Sequence, residues 1–442
     1  MRPNLFKNSK LLVFVLLIGC LTACSTGRRL SKQPLYQQQI LRSEVFRQGF
    51  TGFALFDPQQ NKLLFEHQSH RHFTPASNTK ILTLYTLLQL LGDSIPSLRY
   101  EHRGDSLLLW GTAYPGFLHP HLPPDSILQE FLRHAPGQLF YSSQHFQSPP
   151  FGPGWAWDDY PYSFQGERSA FPIYGNLCRF EQDSTRGDIQ ATPSYFQDFI
   201  HQQSPKEGRT RIRRHRFHNR FDVTGNGNLS APVYRPFRSS DSLQVRLLSD
   251  WSGRPVQLLN QPLGPTAQTL YQTEVDSLYR RMMYQSDNFL AEQLLLCCAL
   301  QLGDTINSRS VIEHMQSTHF LDLPDPVIWV DGSGLSRYNL VSPRSMVEVL
   351  HRLHRLLPEE TLLSYFPAGG QSGTIQQWYA ASPPYVFAKT GTLSNQHCLS
   401  GYLRTFSGRL LIFSFMHNNF PGSSRRHKLE MEKILREIRR SY

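Results

Sequence analysis

The sequence is short of charge: Asp, Glu, Lys and Arg make up only 18% of its 442 residues. A coiled coil or a charged solvating tail is therefore excluded as the main architecture. Lysine is scarcest, with nine copies, so nearly all of the formal net charge of +11 comes from arginine. No C-x-x-C pair occurs among the six cysteines, and Cys297 and Cys298 are adjacent. Neither a disulfide framework nor a zinc site is expected, and Cys178, Cys297, Cys298 and Cys398 read as small buried apolar residues. No helix-turn-helix, RNA-binding or zinc-finger pattern accompanies the basic balance, which removes nucleic acid as a partner. No internal repeat is present.

What is there is apolar and aromatic, 39% and 12% of the chain, enough for sizeable cores in two or three domains. At the N-terminus Arg2, Lys7 and Lys10 precede the apolar run Leu11–Ile18, which is too short to cross a bilayer and has the flanks of a secretory signal. The run ends in Leu21-Thr22-Ala23-Cys24-Ser25, which resembles a bacterial lipobox. That resemblance implies lipidation of Cys24, a membrane attachment through the lipid anchor and a periplasmic location. By analogy with other lipoproteins, Ser25 directs the anchor to the outer membrane.

The expected organisation is a signal peptide over 1–23, a tether over 24–39, a catalytic domain in two parts (40–100 and 266–442) and a β-rich insert over 101–265. Gly52–Asp57 and Lys62–Phe65 flank a hairpin turn, and Ser77–Leu91 is an apolar helical pattern that predicts burial between layers. Between Tyr100 and Pro265 short strand-like runs alternate with loops rich in proline, glycine and aromatic residues. Helical periodicity returns after residue 275. Ser342-Pro343 predicts a capped helix start, three strands follow between Tyr385 and His417, and an amphipathic helix spans about 425–439. The run Arg209–Arg216 reads as a solvated strand face, with a site for an acidic ligand as the alternative.

Three short motifs carry chemistry. Ser77-Asn78-Thr79-Lys80 puts a hydroxyl and an amine on one face at a helix start. A serine needs a base to become nucleophilic, and a desolvated lysine can be that base. Ser286-Asp287-Asn288 supplies a second hydroxyl and an amide at a helix junction. Lys389-Thr390-Gly391-Thr392 follows a strand pattern and offers a cation, hydroxyls and clearance along an edge where an extended peptide could pair. Each motif alone is compatible with an ordinary cap, loop or strand.

Together and in this order, S-x-x-K, S-D-N and K-T-G resemble the signature of penicillin-binding proteins and serine β-lactamases. Ser286 follows Ser77 by 209 positions, which leaves room for an inserted domain. That layout resembles the low-molecular-mass class C penicillin-binding proteins, the D-alanyl-D-alanine carboxypeptidase/endopeptidase family. Trp155-Ala156-Trp157-Asp158-Asp159, Ser286–Leu295, Asp331–Asn339 and Ala368–Thr374 also resemble segments of that family. Gly111–Gly116 departs from the family's G-G-D-P, which bears on local loop geometry and not on the chemistry; no E-x-x-L-N follows Ser286, so efficient β-lactam hydrolysis is not expected.

The resemblance implies an α+β fold, a penicillin-binding/β-lactamase-like transpeptidase domain whose antiparallel sheet is flanked by helices and interrupted by the insert. It implies Ser77 as nucleophile on peptidoglycan stem peptides, also acylated by β-lactam antibiotics. Lys80 would be the base, its neutral form favoured by burial and by the charge of Lys389, and Ser286 the relay to the leaving amine. Asn288, Lys389, Thr390, Gly391 and Thr392 would bind substrate, and the N–H groups of Ser77 and Thr392 would form an oxyanion hole. No cofactor is implied, and His67, His70 and His72 read as a surface turn, not metal ligands. A serine β-lactamase or esterase on the same scaffold, or a non-catalytic cell-wall-binding lipoprotein, are the alternatives.

Overall fold

Asp57 closes the first strand by accepting a hydrogen bond from Gln59 N at 2.9 Å, and Asn61 turns the chain back through a left-handed backbone, φ 48°. The two strands so joined, Phe50–Asp57 and Lys62–His67, pair as the expected antiparallel hairpin. The computed structural model describes residues 34–442 apart from 186, 204–206 and 304. The signal segment and Cys24 lie outside the described residues.

The hairpin is one side of a five-stranded antiparallel sheet with the order Val386–Leu393, Gln396–Arg404, Leu410–Asn418, Phe50–Asp57, Lys62–His67. Strands from opposite ends of the chain therefore pair at its centre, Phe50 opposite Asn418 and Phe56 opposite Ile412. Alternation along the central strands serves both faces. Phe53, Leu55, Phe413 and Phe415 pack with Met431, Ile434 and Leu435 of the terminal helix Arg425–Ser441. Ala54, Ile412 and Met416 face the opposite core with Ile81, Leu84, Leu290, Leu294, Val349 and Leu350. Those residues come from the helices Thr79–Leu90, Asn288–Cys297 and Pro343–Leu356. The third helix starts as its sequence predicts, with Ser342 Oγ accepting from Ser345 N at 3.2 Å and Pro343 in the first turn.

The described end of the tether expected over 24–39 is helical. Leu35–Arg42 is a helix whose Tyr36 and Ile40, one turn apart, are buried, and Tyr36 Oη lies 2.8 Å from Tyr442 Oη. The glutamines of this stretch dominate its composition, but two apolar residues at i and i+4 are enough to dock it.

The segment between the helix of Ser77 and that of Asn288 forms a second five-stranded sheet and two three-stranded ones. The second sheet begins at Ile95–Arg103 and closes by pairing it with Gln268–Gln272, outside the 101–265 expected for the insert. It is mixed, with Gln138–Ser142 parallel to both Ser106–Gly111 and Val256–Leu258. Parallel neighbours need crossovers, and the helices Ser126–His134 and Asp241–Ser252 supply them. Both were missed in a segment expected to be β-rich. Asp125 and Ser240 cap them by accepting from Leu128 N and Leu243 N. In the strand Arg211–Arg214 the arginines divide between faces: Arg211 and Arg213 are exposed, whereas Arg214 is buried. The cysteine reading holds for Cys178, Cys297, Cys298 and Cys398, all buried thiols.

Candidate active site

Thr79–Leu90 is apolar on every side, and its residues from Thr79 to Leu87 are all buried, so the helix is fixed in place along its length. The short turn Ala76–Asn78 that leads into it holds Ser77, which is half-buried. Thr79 Oγ1 donates to Ala76 O at 2.8 Å and Asn78 Nδ2 donates to Ser400 Oγ at 2.8 Å, which ties that turn to the sheet. Ala76 itself is left-handed, φ 49°, an uncommon conformation for a residue with a Cβ. Ser286 is also left-handed, φ 57°. Backbone strain of this kind concentrates at functional sites.

The three motifs meet. Lys80 Nζ donates to Ser77 Oγ at 3.2 Å, to Asn288 Oδ1 at 2.6 Å and to Ser333 O at 2.7 Å. Lys389 Nζ donates to Ser286 Oγ at 2.8 Å and to Thr390 O at 2.8 Å. Asn288 Nδ2 donates to Phe164 O at 3.1 Å, so the amide joins the lysine to the 151–166 loop. Thr390 Oγ1 donates to Thr374 Oγ1 at 2.7 Å, and Thr392 Oγ1 lies 2.8 Å from His397 Nδ1. Gly391 shows why this strand carries a glycine. A Cβ there would stand 2.3 Å from Pro75 O and 3.0 Å from Ser77 N.

Val386–Leu393 is the outer strand of its sheet, and the start of its free edge is closed by Gly369 N donating to Val386 O at 2.8 Å and Ala388 N donating to Pro367 O at 3.0 Å. Antiparallel pairing alternates direction residue by residue, so the N–H and C=O groups of Thr390 and Thr392 face the same way as those of Val386 and Ala388, toward the outer edge. Thr390 O is already taken by Lys389 Nζ at 2.8 Å, so the groups left open to a peptide along this edge are the N–H of Thr390 and those of Thr392.

Both lysines are fully buried. Burial lowers Lys80 to about 8, against the opposing pull of Asp331, Glu292 and Asp287. Lys389 falls well below the usual lysine value, first through burial and then through the charge of Lys80. The electrostatics thus differ from the expectation that Lys389 helps to neutralise Lys80: burial does so, and the like-charge effect is felt by Lys389.

The carboxylates around Lys80 are built in. Asp331 accepts from Gly334 N at 2.8 Å, Ser336 N at 2.7 Å, Asn339 Nδ2 at 2.7 Å and Trp155 Nε1 at 2.8 Å. Glu292 accepts from Ser333 N at 2.8 Å and lies 3.4 Å from Arg168, and burial raises its pKa. Sequence reasoning quoted these residues inside longer matching segments and gave them no task. Their signal was acidic residues inside otherwise apolar or glycine-rich runs. The His67, His70, His72 cluster stays apart from this chemistry, with His72 Nε2 2.7 Å from Pro326 O. Among the described residues no group of three or more His, Cys, Asp or Glu is placed to hold a metal.

A buried amine beside a hydroxyl, a second hydroxyl–amine pair and an open strand edge form a site suited to acyl transfer on a peptide. The D-alanyl-D-alanine carboxypeptidase DacB of Haemophilus influenzae is 24% identical over 441 residues, spanning 88% of this chain and 90% of that protein. The D-alanyl-D-alanine carboxypeptidase of Actinomadura sp. is 24% identical over 456 residues, spanning 90% and 83%. The crystal structure of penicillin binding protein 4 (dacB) from Haemophilus influenzae superposes with a TM-score of 0.71 at 20% identity, covering 92% of this chain and 98% of that one. The fold is therefore that of a penicillin-binding protein. The profile of the D-Ala-D-Ala carboxypeptidase 3 (S13) family matches residues 38–439, and the chain belongs to that family of serine peptidases.

Proposed function

We propose that the protein is a serine D-Ala-D-Ala carboxypeptidase, with DD-endopeptidase action on cross-links in reach of the same site, working on peptidoglycan stem peptides through a Ser77 acyl-enzyme. The observation that carries this reading is the contact of Lys80 Nζ with Ser77 Oγ at 3.2 Å, made by an amine that burial holds near 8. Neutral Lys80 accepts the hydroxyl proton as Ser77 attacks the carbonyl of the penultimate D-alanine. The N–H groups of Ser77 and Thr392 receive the oxyanion, an effect worth roughly 3–4 kcal/mol per donor in acyl-transfer enzymes. Ser286, held by Lys389, passes a proton to the leaving amine. Asn288 orients the substrate amide, and Lys389 with Thr390 and Thr392 binds the terminal carboxylate, Gly391 giving the clearance. Water then hydrolyses the ester.

A β-lactam enters the same chemistry as substrate and leaves an acyl-enzyme. The protein acts outside the cytoplasm, in the periplasm, held to the outer membrane by lipid on Cys24. Among the described residues no helix is long and apolar enough to cross a membrane. The test is release of D-alanine from a pentapeptide ending in D-Ala-D-Ala. Wild type releases it, and Ser77→Ala with an unchanged melting temperature releases none. Equal release by both proteins would refute the assignment.

A further inference from the structure

A cavity of about 510 Å³ is lined by the 146–170 segment, by Arg214, Arg216 and Phe217, and by Arg238–Asp241 with Gln244; none of Ser77, Lys80, Ser286 or Lys389 lines it. The basic run that the peptidase chemistry leaves unused supplies part of its wall. Its size is that of a small-molecule site.

Its charge is unbalanced. Arg214 and Arg238 share one carboxylate, Glu167, at 3.8 and 4.0 Å, both beyond hydrogen-bonding distance. Burial raises the pKa of Glu167 against the lowering pull of Ser239 N, Arg214 and Arg238. Arg168 is engaged by Glu292, and Asp241 accepts from Ser143 Oγ at 2.5 Å. Arg216 has no carboxylate partner among the described residues and stacks instead on Trp157, 4.6 Å from its ring centre, and on Phe217 at 5.4 Å.

The rest of the wall is flat and apolar. Trp157 and Phe217 are 67% and 61% exposed, unusual for such large rings, and Tyr160, Trp155 and Phe151 continue the surface. Rings of this kind receive the apolar face of a cyclic ligand, while Arg216 and Arg238 provide forked donors for a carboxylate.

We propose that this cavity is a second binding site, for a saccharide that carries a carboxylate. The sugar ring lies on Trp157 and Phe217, and its carboxylate meets Arg216 and Arg238. The site does not depend on the chemistry assigned to Ser77. It lies one ion pair from the catalytic pocket, because Arg168, which lines it, is the partner of Glu292 beside Lys80.

The test is calorimetric titration of the full chain with N-acetylmuramic acid, N-acetylglucosamine and sodium lactate in turn. N-acetylmuramic acid is expected to bind at least ten-fold more tightly than either of the others. In Arg216→Ala/Arg238→Ala, and separately in Arg238→Glu, that preference is lost while the rate of acylation by benzylpenicillin stays at the wild-type value. Equal binding of acidic and neutral sugar would overturn the proposal, as would lactate binding as well as the acid sugar. Unchanged binding of the acid sugar in both folded variants would also overturn it.

Discussion

Lys80 is asked to be a base, and at the scale of single residues this fixes a pH dependence. An amine accepts a proton only when neutral, and burial sets its midpoint near 8. The second-order rate of acylation by benzylpenicillin should therefore rise between pH 6 and 9 with a midpoint near 8, read by stopped-flow or quenched mass spectrometry. A flat profile would remove Lys80 from the base role. Asp331 pulls the lysine the other way, so Asp331→Asn should move that midpoint to lower pH. It should also lower the melting temperature, since four donors lose a charged acceptor, each bond to a charged group being worth about 1.5–3 kcal/mol. Ser77, Lys80, Ser286, Asn288 and Lys389 could be brought forward as candidates from the sequence because they stand in short motifs. The positions of Glu292 and Asp331 were not, because nothing in their local spacing says which amine they will face after the chain has folded.

Between elements, the critical approach is that of the strand Val386–Leu393 to the turn carrying Ser77. Gly391→Ala would place a methyl 2.3 Å from Pro75 O, and the strand and turn must part by about an ångström to admit it. Misplacement of that size costs on the order of 10²-fold in rate. Overpacking costs about 1–3 kcal/mol in stability. Acylation by benzylpenicillin should fall by roughly that factor in a protein whose circular dichroism is unchanged, and a wild-type rate would show the contact to be slack. The strands and the helices around Ser77 and Ser342 were readable from periodicity and caps. The helices Ser126–His134 and Asp241–Ser252 were not, although each has a capping Asp or Ser. Their short amphipathic patterns lie among proline and aromatic loops, and it is the parallel strands they connect that require them.

For the whole molecule, the segment between Ser77 and Asn288 is tied to the helix Asn288–Cys297 by buried polar contacts as well as by apolar packing. Gln293 Nε2 donates to Ala113 O and Ser169 O, both at 2.9 Å, and Gln293 Oε1 accepts from Ser169 N at 3.1 Å. Gln293→Leu strands three backbone groups, each unsatisfied group costing about 1–3 kcal/mol. Its urea-unfolding midpoint should fall clearly below wild type, and an unchanged midpoint would show that the insert is held by packing alone. The same helix carries Asn288 and Glu292 to Lys80, so the docking that orders the insert also orders the base. The pairing of Ile95–Arg103 with Gln268–Gln272 was not legible, because it joins partners far apart in the chain that no local spacing reveals. All of this chemistry rests on Ser77 being the activated nucleophile. Intact-mass measurement after incubation with benzylpenicillin, followed by peptide mapping, tests it most directly. One penicilloyl adduct on the peptide containing Ser77, absent from Ser77→Ala, is the predicted result; folded wild-type protein with no adduct, or with one on another residue, would contradict it.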